Sequence, residues 1–257
     1  MRLILNGARG RMGRMVVEAA ARAGDEVVAL VDRADHPEAG LDIATPWGAR
    51  TLLSDGAAAG VEADAAIDFS LPDVSVAFAR AVAGRGIPIV CGTTGVSDAH
   101  LAALEDAAAG APILWTANTS IGVFCLHELC AMAQAMLGPS YDVEIVEIHH
   151  RHKRDAPSGT ALSLSRRLVG DRLHVRASRE GDCGPRAADE LGVLAVRGGE
   201  VVGEHTVYFF GDHDRIELTH RATSRVIFAE GAVALARRLI GRGPGLLRVE
   251  DVLRGPA

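Results

Sequence analysis

Residues 144–161 read Glu-Ile-Val-Glu-Ile-His-His-Arg-His-Lys-Arg-Asp-Ala-Pro-Ser-Gly-Thr-Ala, and the chemistry of the chain concentrates there. His149, His150 and Lys153 bring two imidazoles and an ammonium to one stretch, which makes them candidate proton donors and acceptors. Pro157 then ends any extended run, and Ser158 is a good N-cap for a helix continuing through Ala161 to Leu168. The backbone N–H groups around Ser158, Gly159 and Thr160 are therefore expected at a helix N-terminus, where anions bind. Proton donors beside an anion site suit acid–base chemistry on a carboxylate or phosphate. His150 and His152 would share a strand face and could chelate a metal. No acid or cysteine stands beside them at ligand spacing, so no metal site is expected.

Something must hold these groups. Asp142 to His150 mixes apolar and ionisable residues on both alternating faces, as a strand does between protein and a polar cleft. Upstream, Arg2 to Asn6 reads as a buried strand, and Gly7-Ala-Arg-Gly-Arg-Met-Gly13 opens a helix to about Ala23, with Met15, Val16 and Ala19 facing inward. Gly7 permits a tight turn, Gly10 a close approach of pyrophosphate, and Gly13 close packing of helix on strand. Glu26 to Val31 is a second strand ending in Asp32, where a dinucleotide fold places its ribose-binding acid. Arg33 follows and can stack on adenine or meet a 2′-phosphate.

Asp35 to Thr51 is expected to be an irregular surface excursion. Beyond it, strands at Ala65–Phe69, Ile87–Cys91 and Pro112–Trp115 alternate with helices at Asp73–Ala83 and Ser97–Ala109, the pattern of a parallel sheet. Loops after successive strands collect at one edge, so Phe69-Ser70, Gly92-Thr93-Thr94 and Thr116 to Thr119 should share a crevice with the glycine turn. After a long apolar helix, Ile121 to Leu137, strands dominate: Tyr141–His150, Gly192–Arg197, Glu204–Phe210 and Arg215–Arg221. Asp171 to Asp189 reads as a long mobile loop, and Ser224–Ile240 as the last long helix before a Gly241–Gly245 break and an apolar tail. The fold class expected is α/β: a Rossmann-type parallel-sheet domain over 1–121, rejoined by 230–257, and a second α+β domain over 122–229 with a mixed sheet.

The 257 residues, 48% of them hydrophobic, suffice for a proper core. A net charge of −6, from 27 basic against 33 acidic residues, argues against a nucleic-acid binder or a protein of anionic membranes. No signal-peptide pattern is seen at the N-terminus and no apolar run is expected to span a bilayer, which predicts a cytoplasmic protein. Cys91, Cys125, Cys130 and Cys183 form no Cys-x-x-Cys pair and read as reduced thiols, with Cys125 and Cys130 on different helix faces.

The Gly-Ala-Arg-Gly-Arg-Met-Gly turn, the Gly-Thr-Thr-Gly loop and the 144–161 signature together resemble the 4-hydroxy-tetrahydrodipicolinate reductase (dihydrodipicolinate reductase) family of lysine and diaminopimelate synthesis. The resemblance continues through Arg197–Thr206 and Ile216–Arg225. It implies NADH or NADPH as cofactor, a small dicarboxylate substrate, and a middle domain that binds substrate and builds a homotetramer. Carried over by position, the cofactor contacts are Gly7, Ala8, Arg9, Gly10, Arg11, Met12, Asp32, Arg33, Gly92, Thr93, Thr94, Thr116, Ala117, Asn118 and Thr119. His149 matches the family's proton donor and acceptor, Lys153 its second proton donor, and His150, Gly159 and Thr160 its substrate contacts, with Ser158 at the same helix start. Phe124 departs from the asparagine many members carry after the Ser-Ile-Gly-Val turn, and Asp32 stands where some carry glutamate.

Overall fold

Leu3–Leu5, Ala65–Ile67, Ile89–Cys91 and Ile113–Leu114 are almost wholly inaccessible, the state of parallel strands covered on both faces by helices. The structure is a computed structural model that describes residues 1–54, 60–169 and 174–254. It divides into two units, one formed by Met1–Ser120 with Val226 onwards, the other by Ile121–Arg225.

The first unit holds strands β1 (Arg2–Asn6), β2 (Glu26–Asp32), β3 (Asp42–Thr45), β4 (Gly48–Ser54), β5 (Ala65–Asp68), β6 (Ile89–Cys91) and β7 (Pro112–Trp115). Helices α1 (Arg11–Arg22), α2 (Pro72–Ala83) and α3 (Asp98–Ala107) alternate with them. With β13 (Gly245–Leu247) they form one sheet in the order β13-β7-β6-β5-β1-β2-β4-β3, parallel except for the β3–β4 hairpin. The chain leaves β1 for β2 on one side and later returns to β5 on the other, so the order reverses at β1. A doubly wound sheet opens its ligand crevice beyond the strand ends at such a switch. One core lies under α1 and α6 (Val226–Leu239), the other under α2 and α3.

Four expectations need correction here. The stretch 35–51 is not irregular throughout: Asp42–Thr45 pairs antiparallel with β4, which extends the sheet beside β2. Its half-exposed residues at a sheet edge carry no apolar alternation to betray it. Gly245–Leu247, expected to be break and tail, pairs with Pro112–Leu114 of β7. The return to the first unit starts at Val226 and not at residue 230, because α6 is continuous and inserts Ala229, Ala232 and Val233 into the first unit's core. Ile121–Ser140 is, by length and composition, apolar enough to cross a membrane, with a mean hydropathy of 1.4. The run is apolar all round because Leu126 and Cys130 enter the second unit's core while Leu129, Met132 and Met136 remain exposed.

The second unit carries α4 (Ile121–Leu137), β8 (Asp142–His149), α5 (Gly159–Val169), β9 (His174–Arg176), β10 (Glu190–Arg197), β11 (Gly203–Phe210) and β12 (Arg215–Ala222). Its sheet runs β12-β11-β8-β10-β9, with β8 antiparallel to β11 and parallel to β10. Val143, Ile145, Val193, Val207 and Phe209 meet Leu126, Ala161 and Leu164 in its core. The loop expected over 171–189 begins with residues 171–173, which lie outside those described, and then contains β9. Its remainder is tied down: Arg179 pairs with Glu144 through Nη1 and Nη2 at 3.0 and 2.8 Å, and Arg186 reaches the same carboxylate at 2.9 Å. Residues 255–257 of the expected 230–257 return also lie outside the described residues. The chain ends, as described, in α7 (Val249–Arg254).

Candidate active site

In the first unit the strand ends are bound together around a buried carboxyl group. Asp68 closes β5, and its Oδ1 accepts from Asn6 Nδ2 at 2.7 Å and Ser70 Oγ at 2.6 Å, while its Oδ2 accepts from Thr93 Oγ1 at 2.8 Å and Cys91 Sγ at 3.5 Å. Burial pushes the Cys91 thiol up to about 12, with Asp68 adding to the shift, so the thiol stays a neutral donor. These bonds join the ends of β1, β5 and β6 to the loops after β5 and β6. Two glycines make the close approach feasible: a Cβ on Gly7, whose φ is 73°, would lie 2.3 Å from the Phe69 carbonyl oxygen, and one on Gly92 would lie 2.3 Å from the Phe69 ring.

Gly10 stands at the N-cap of α1 with no side chain capping the helix, so its first-turn N–H groups are open to an anion. Asp32 accepts from the backbone N–H of Arg9 at 2.9 Å and of Arg33 at 3.0 Å, which ties the glycine turn to the end of β2 and leaves further lone pairs on both oxygens. The Arg9 side chain is taken by Glu38 at 2.6 and 2.8 Å, and Arg33 pairs with Asp35 at 3.1 Å. Ala8 is buried, while Arg11, Thr94 and Ala117 are exposed and Met12 half-buried. Thr116 and Asn118 fold into a local turn, the Thr116 hydroxyl donating to the Asn118 carbonyl at 2.9 Å. Thr119 is buried, and its hydroxyl donates to the Phe228 carbonyl at 2.6 Å, which ties this loop to α6. The glycine turn, the acid at Asp32 and the uncapped helix fit a dinucleotide.

In the second unit β8 ends at His149, so His150 and His152 sit in the loop after it and not on one strand face. Their rings lie 6.1 Å apart, and no cluster of three or more metal-ligating side chains occurs among the described residues. Lys153 pairs with Asp155 at 2.9 Å. The helix start is as the sequence suggests: Ser158 Oγ accepts from the Ala161 N–H at 3.2 Å and lies 3.0 Å from His205 Nε2. The Ser158 N–H, expected to await an anion, instead donates to Glu147 at 2.9 Å. Gly159 is exposed with open space around its Cα.

His149 is buried, and burial holds its pKa below the ordinary imidazole value; Glu147 opposes that shift, and Lys153 and Arg197 reinforce it. For Glu147, burial would raise the pKa, but hydrogen bonds from Arg197, His149 and Ser158 outweigh it and hold the carboxyl below its usual range. His205 is driven down to about 3 by burial, then by the neighbouring His149. Four residues of this cluster escaped the sequence reading: Glu147, Arg197, His205 and Arg225, whose guanidinium Nη2 lies 3.2 Å from His150 Nε2. Each lies inside a motif already singled out, yet the partners stand 47 to 75 residues apart in the chain, beyond the reach of local spacing.

A Rossmann-type unit joined to a mixed-sheet unit with a buried acid–base cluster is the plan of a pyridine-nucleotide-dependent oxidoreductase. The family described as dihydrodipicolinate reductase matches through its N-terminal part at residues 1–119 and its C-terminal part at residues 122–253. The 4-hydroxy-tetrahydrodipicolinate reductase of Alkalilimnicola ehrlichii is 44% identical over 262 residues, covering 98% of each chain. That of Anaeromyxobacter dehalogenans is 42% identical over 264 residues, covering 98% of this chain and 97% of its own. Among solved structures, the dipicolinate-bound dihydrodipicolinate reductase of Paenisporosarcina sp. TG-14 has the same fold, with a TM-score of 0.79 at 20% identity and 98% coverage of both chains. The chain belongs to the dihydrodipicolinate reductase family.

Proposed function

We propose that the chain reduces 4-hydroxy-tetrahydrodipicolinate to tetrahydrodipicolinate in the diaminopimelate route to lysine, with NADH or NADPH as reductant. The observation that carries this reading is the buried His149–Glu147–Arg197 cluster at the start of α5 with Lys153 beside it, in a chain whose relatives bear that reaction's name over nearly their whole length. A reduced nicotinamide, when bound, supplies the hydride. The Gly7–Met12 turn would hold its pyrophosphate, Asp32 and Arg33 its adenosine end, and Gly92–Thr94 with Thr116–Asn118 the nicotinamide end.

The remaining work falls to the second unit. The Gly159–Thr160 helix start and the His150–Arg225 pair offer two cationic or N–H-rich places for the two carboxylates of a cyclic substrate. Lys153, held by Asp155, gives up the proton that accompanies the hydride, and His149 exchanges a proton with the same substrate as the hydroxyl leaves as water.

Both nucleotides are expected to serve, with a tilt to NADH, because Asp32 favours ribose hydroxyls while Arg33 must leave Asp35 to meet a 2′-phosphate. We also propose a homotetramer built on the second unit's sheet, since Val146, Leu194, Tyr208 and Phe210 give that sheet a second apolar face with Tyr208 and Phe210 stacked at 5.5 Å. No nucleic acid or membrane enters this reading, and the free cysteines support a cytoplasmic setting. One preparation tests these points: substrate-dependent oxidation of NADH exceeding that of NADPH, and a light-scattering mass of four chains. No oxidation of either nucleotide would refute the reaction, and a monomer at micromolar concentration would refute the assembly.

A further inference from the structure

Glu147 is wholly inaccessible, and each group that touches its carboxyl has a proton to give. Arg197 Nη1 and Nη2 reach Oε2 and Oε1 at 2.7 and 2.8 Å, the Ser158 N–H reaches Oε1 at 2.9 Å, and His149 Nδ1 lies 2.6 Å from Oε2. Three of the four contacts come from obligate donors, two of them from one guanidinium, and they hold the group as a carboxylate that accepts at the fourth contact as well. The proton between His149 and Glu147 then belongs to Nδ1. Neutral His149 carries its lone pair on Nε2, and that nitrogen lies over Gly203, where an added Cβ would stand 2.9 Å away.

We propose that Glu147 is the positioning residue of the site: it fixes His149 as the Nδ1–H tautomer, making Nε2 the nitrogen that exchanges a proton with substrate, and through Ser158 it keeps the start of α5 in register with that ring. The role of Nε2 rests on the reductase reading above, whereas the tautomer does not. Arg197 serves Glu147 as a clamp, since its Nη2 also donates to the Asp155 carbonyl at 2.7 Å and so anchors the loop that carries Lys153. Among the described residues, Nδ1 has Glu147 as its hydrogen-bond partner. Lys153 is a donor paired with Asp155 in that loop, and His205 on β11 meets the ring edge-on at 5.1 Å with its Nε2 turned to Ser158.

Ring ¹⁵N NMR of the histidine-labelled full chain reads the tautomer directly. The wild-type protein at a pH where His149 is neutral should show a pyrrole-like Nδ1 and a pyridine-like Nε2 for that ring. A proton on Nε2 instead would overturn the proposal without any variant. Glu147→Gln replaces an acceptor-only group by an amide that can donate to Nδ1, so the ring should move toward the Nε2–H tautomer. Its kcat should fall at least roughly 10- to 100-fold, the scale seen when a partner that orients a metal-bound histidine is lost. The KM for the nicotinamide nucleotide should stay constant. The pH profile should shift to lower pH, because the carboxylate that favours imidazolium is gone, and Glu147→Asp should restore part of kcat. A folded Glu147→Gln with wild-type kcat and pH profile would overturn the assignment. Gly203→Ala offers a second route: its methyl crowds Nε2 and spares Nδ1, so unchanged turnover there would show that Nε2 is not the reacting nitrogen. Absence of turnover in the wild-type chain would count against the reductase reading, while the ring spectrum decides the tautomer independently.

Discussion

Asp68 ends β5 in the first unit, Glu147 lies near the end of β8 in the second, and both carboxyl groups are buried, yet their surroundings differ in kind. Asp68 is met by an amide, two hydroxyls and a thiol, all uncharged, from the last residues of β1 and β6 and from the loops after β5 and β6. Glu147 is met by a guanidinium and an imidazole, and those partners belong to strands. Neutral donors suit a node that must hold backbone in place for a ligand recognised by N–H groups. A cation and a titratable ring suit a node that controls where a proton sits. The first unit thus offers a surface shaped by backbone, and the second offers side chains with chemistry of their own.

The sharpest way to break that division is to remove the reacting side chains. Lys153→Ala and His149→Ala should each lower kcat about 10²- to 10⁴-fold while nucleotide affinity, read by fluorescence titration, stays near the wild-type value. The double variant should lose less than the product of the two single losses if both serve one proton-transfer event. Weakened nucleotide binding in either single variant would erase the division. A smaller effect with the opposite signature is expected from Asp68→Ala, which strands the Asn6 amide and its neighbours. It should cost roughly 3 kcal/mol of stability in denaturant melts and weaken nucleotide binding more than it slows turnover at saturation. A pure kcat loss would show that Asp68 acts on the chemistry.

The smallest effect separates the units by pH. His205 is neutral in the folded chain down to about pH 3. The unfolded chain binds its proton from about pH 6.5 downward, so stability is complete above that value and declines as pH falls, by about 2 kcal/mol at pH 5. Glu147, with its lowered pKa, contributes stability that is lost only at still lower pH, as the pH falls through its folded value. Hydrogen exchange, corrected for intrinsic rates, should therefore show β8 and β11 losing protection between pH 7 and 5 before β1 and β5 do. Simultaneous loss in both units would contradict the contrast.

Much of this organisation is legible in the chain itself, and the exceptions have physical reasons. The strands β1, β5 and β7 are buried on both faces and read as continuous apolar runs, which the α/β alternation makes hard to mistake. β9 and β13 are three residues long and lie at sheet edges, where neither length nor alternation marks them. His149, Lys153 and Ser158 were visible because helix-start and acid–base signals are local. Glu147 stands in the 144–161 motif without a role of its own, since its meaning depends on Arg197, 50 residues away, and on a backbone N–H that any residue would supply. Thr119 shows the converse, a residue whose motif suggested a ligand and whose hydroxyl holds a helix.

The return of α6 to the first unit also sets a timetable for synthesis. A Cβ on Gly231 would stand 1.9 Å from the Thr119 carbonyl oxygen, so this helix is seated directly on chain made more than a hundred residues earlier. The ribosome must add the whole of Ile121–Arg225 in between, on the order of ten seconds at about 5–20 residues per second. During that interval Leu3, Leu5, Ile67 and Val90 lack the Ala232, Leu235 and Ala236 packing that completes their core, whereas the middle unit has all of its own strands before α6 emerges. The unit begun first is therefore finished last, and the nascent chain carries an open apolar seam until α6 arrives.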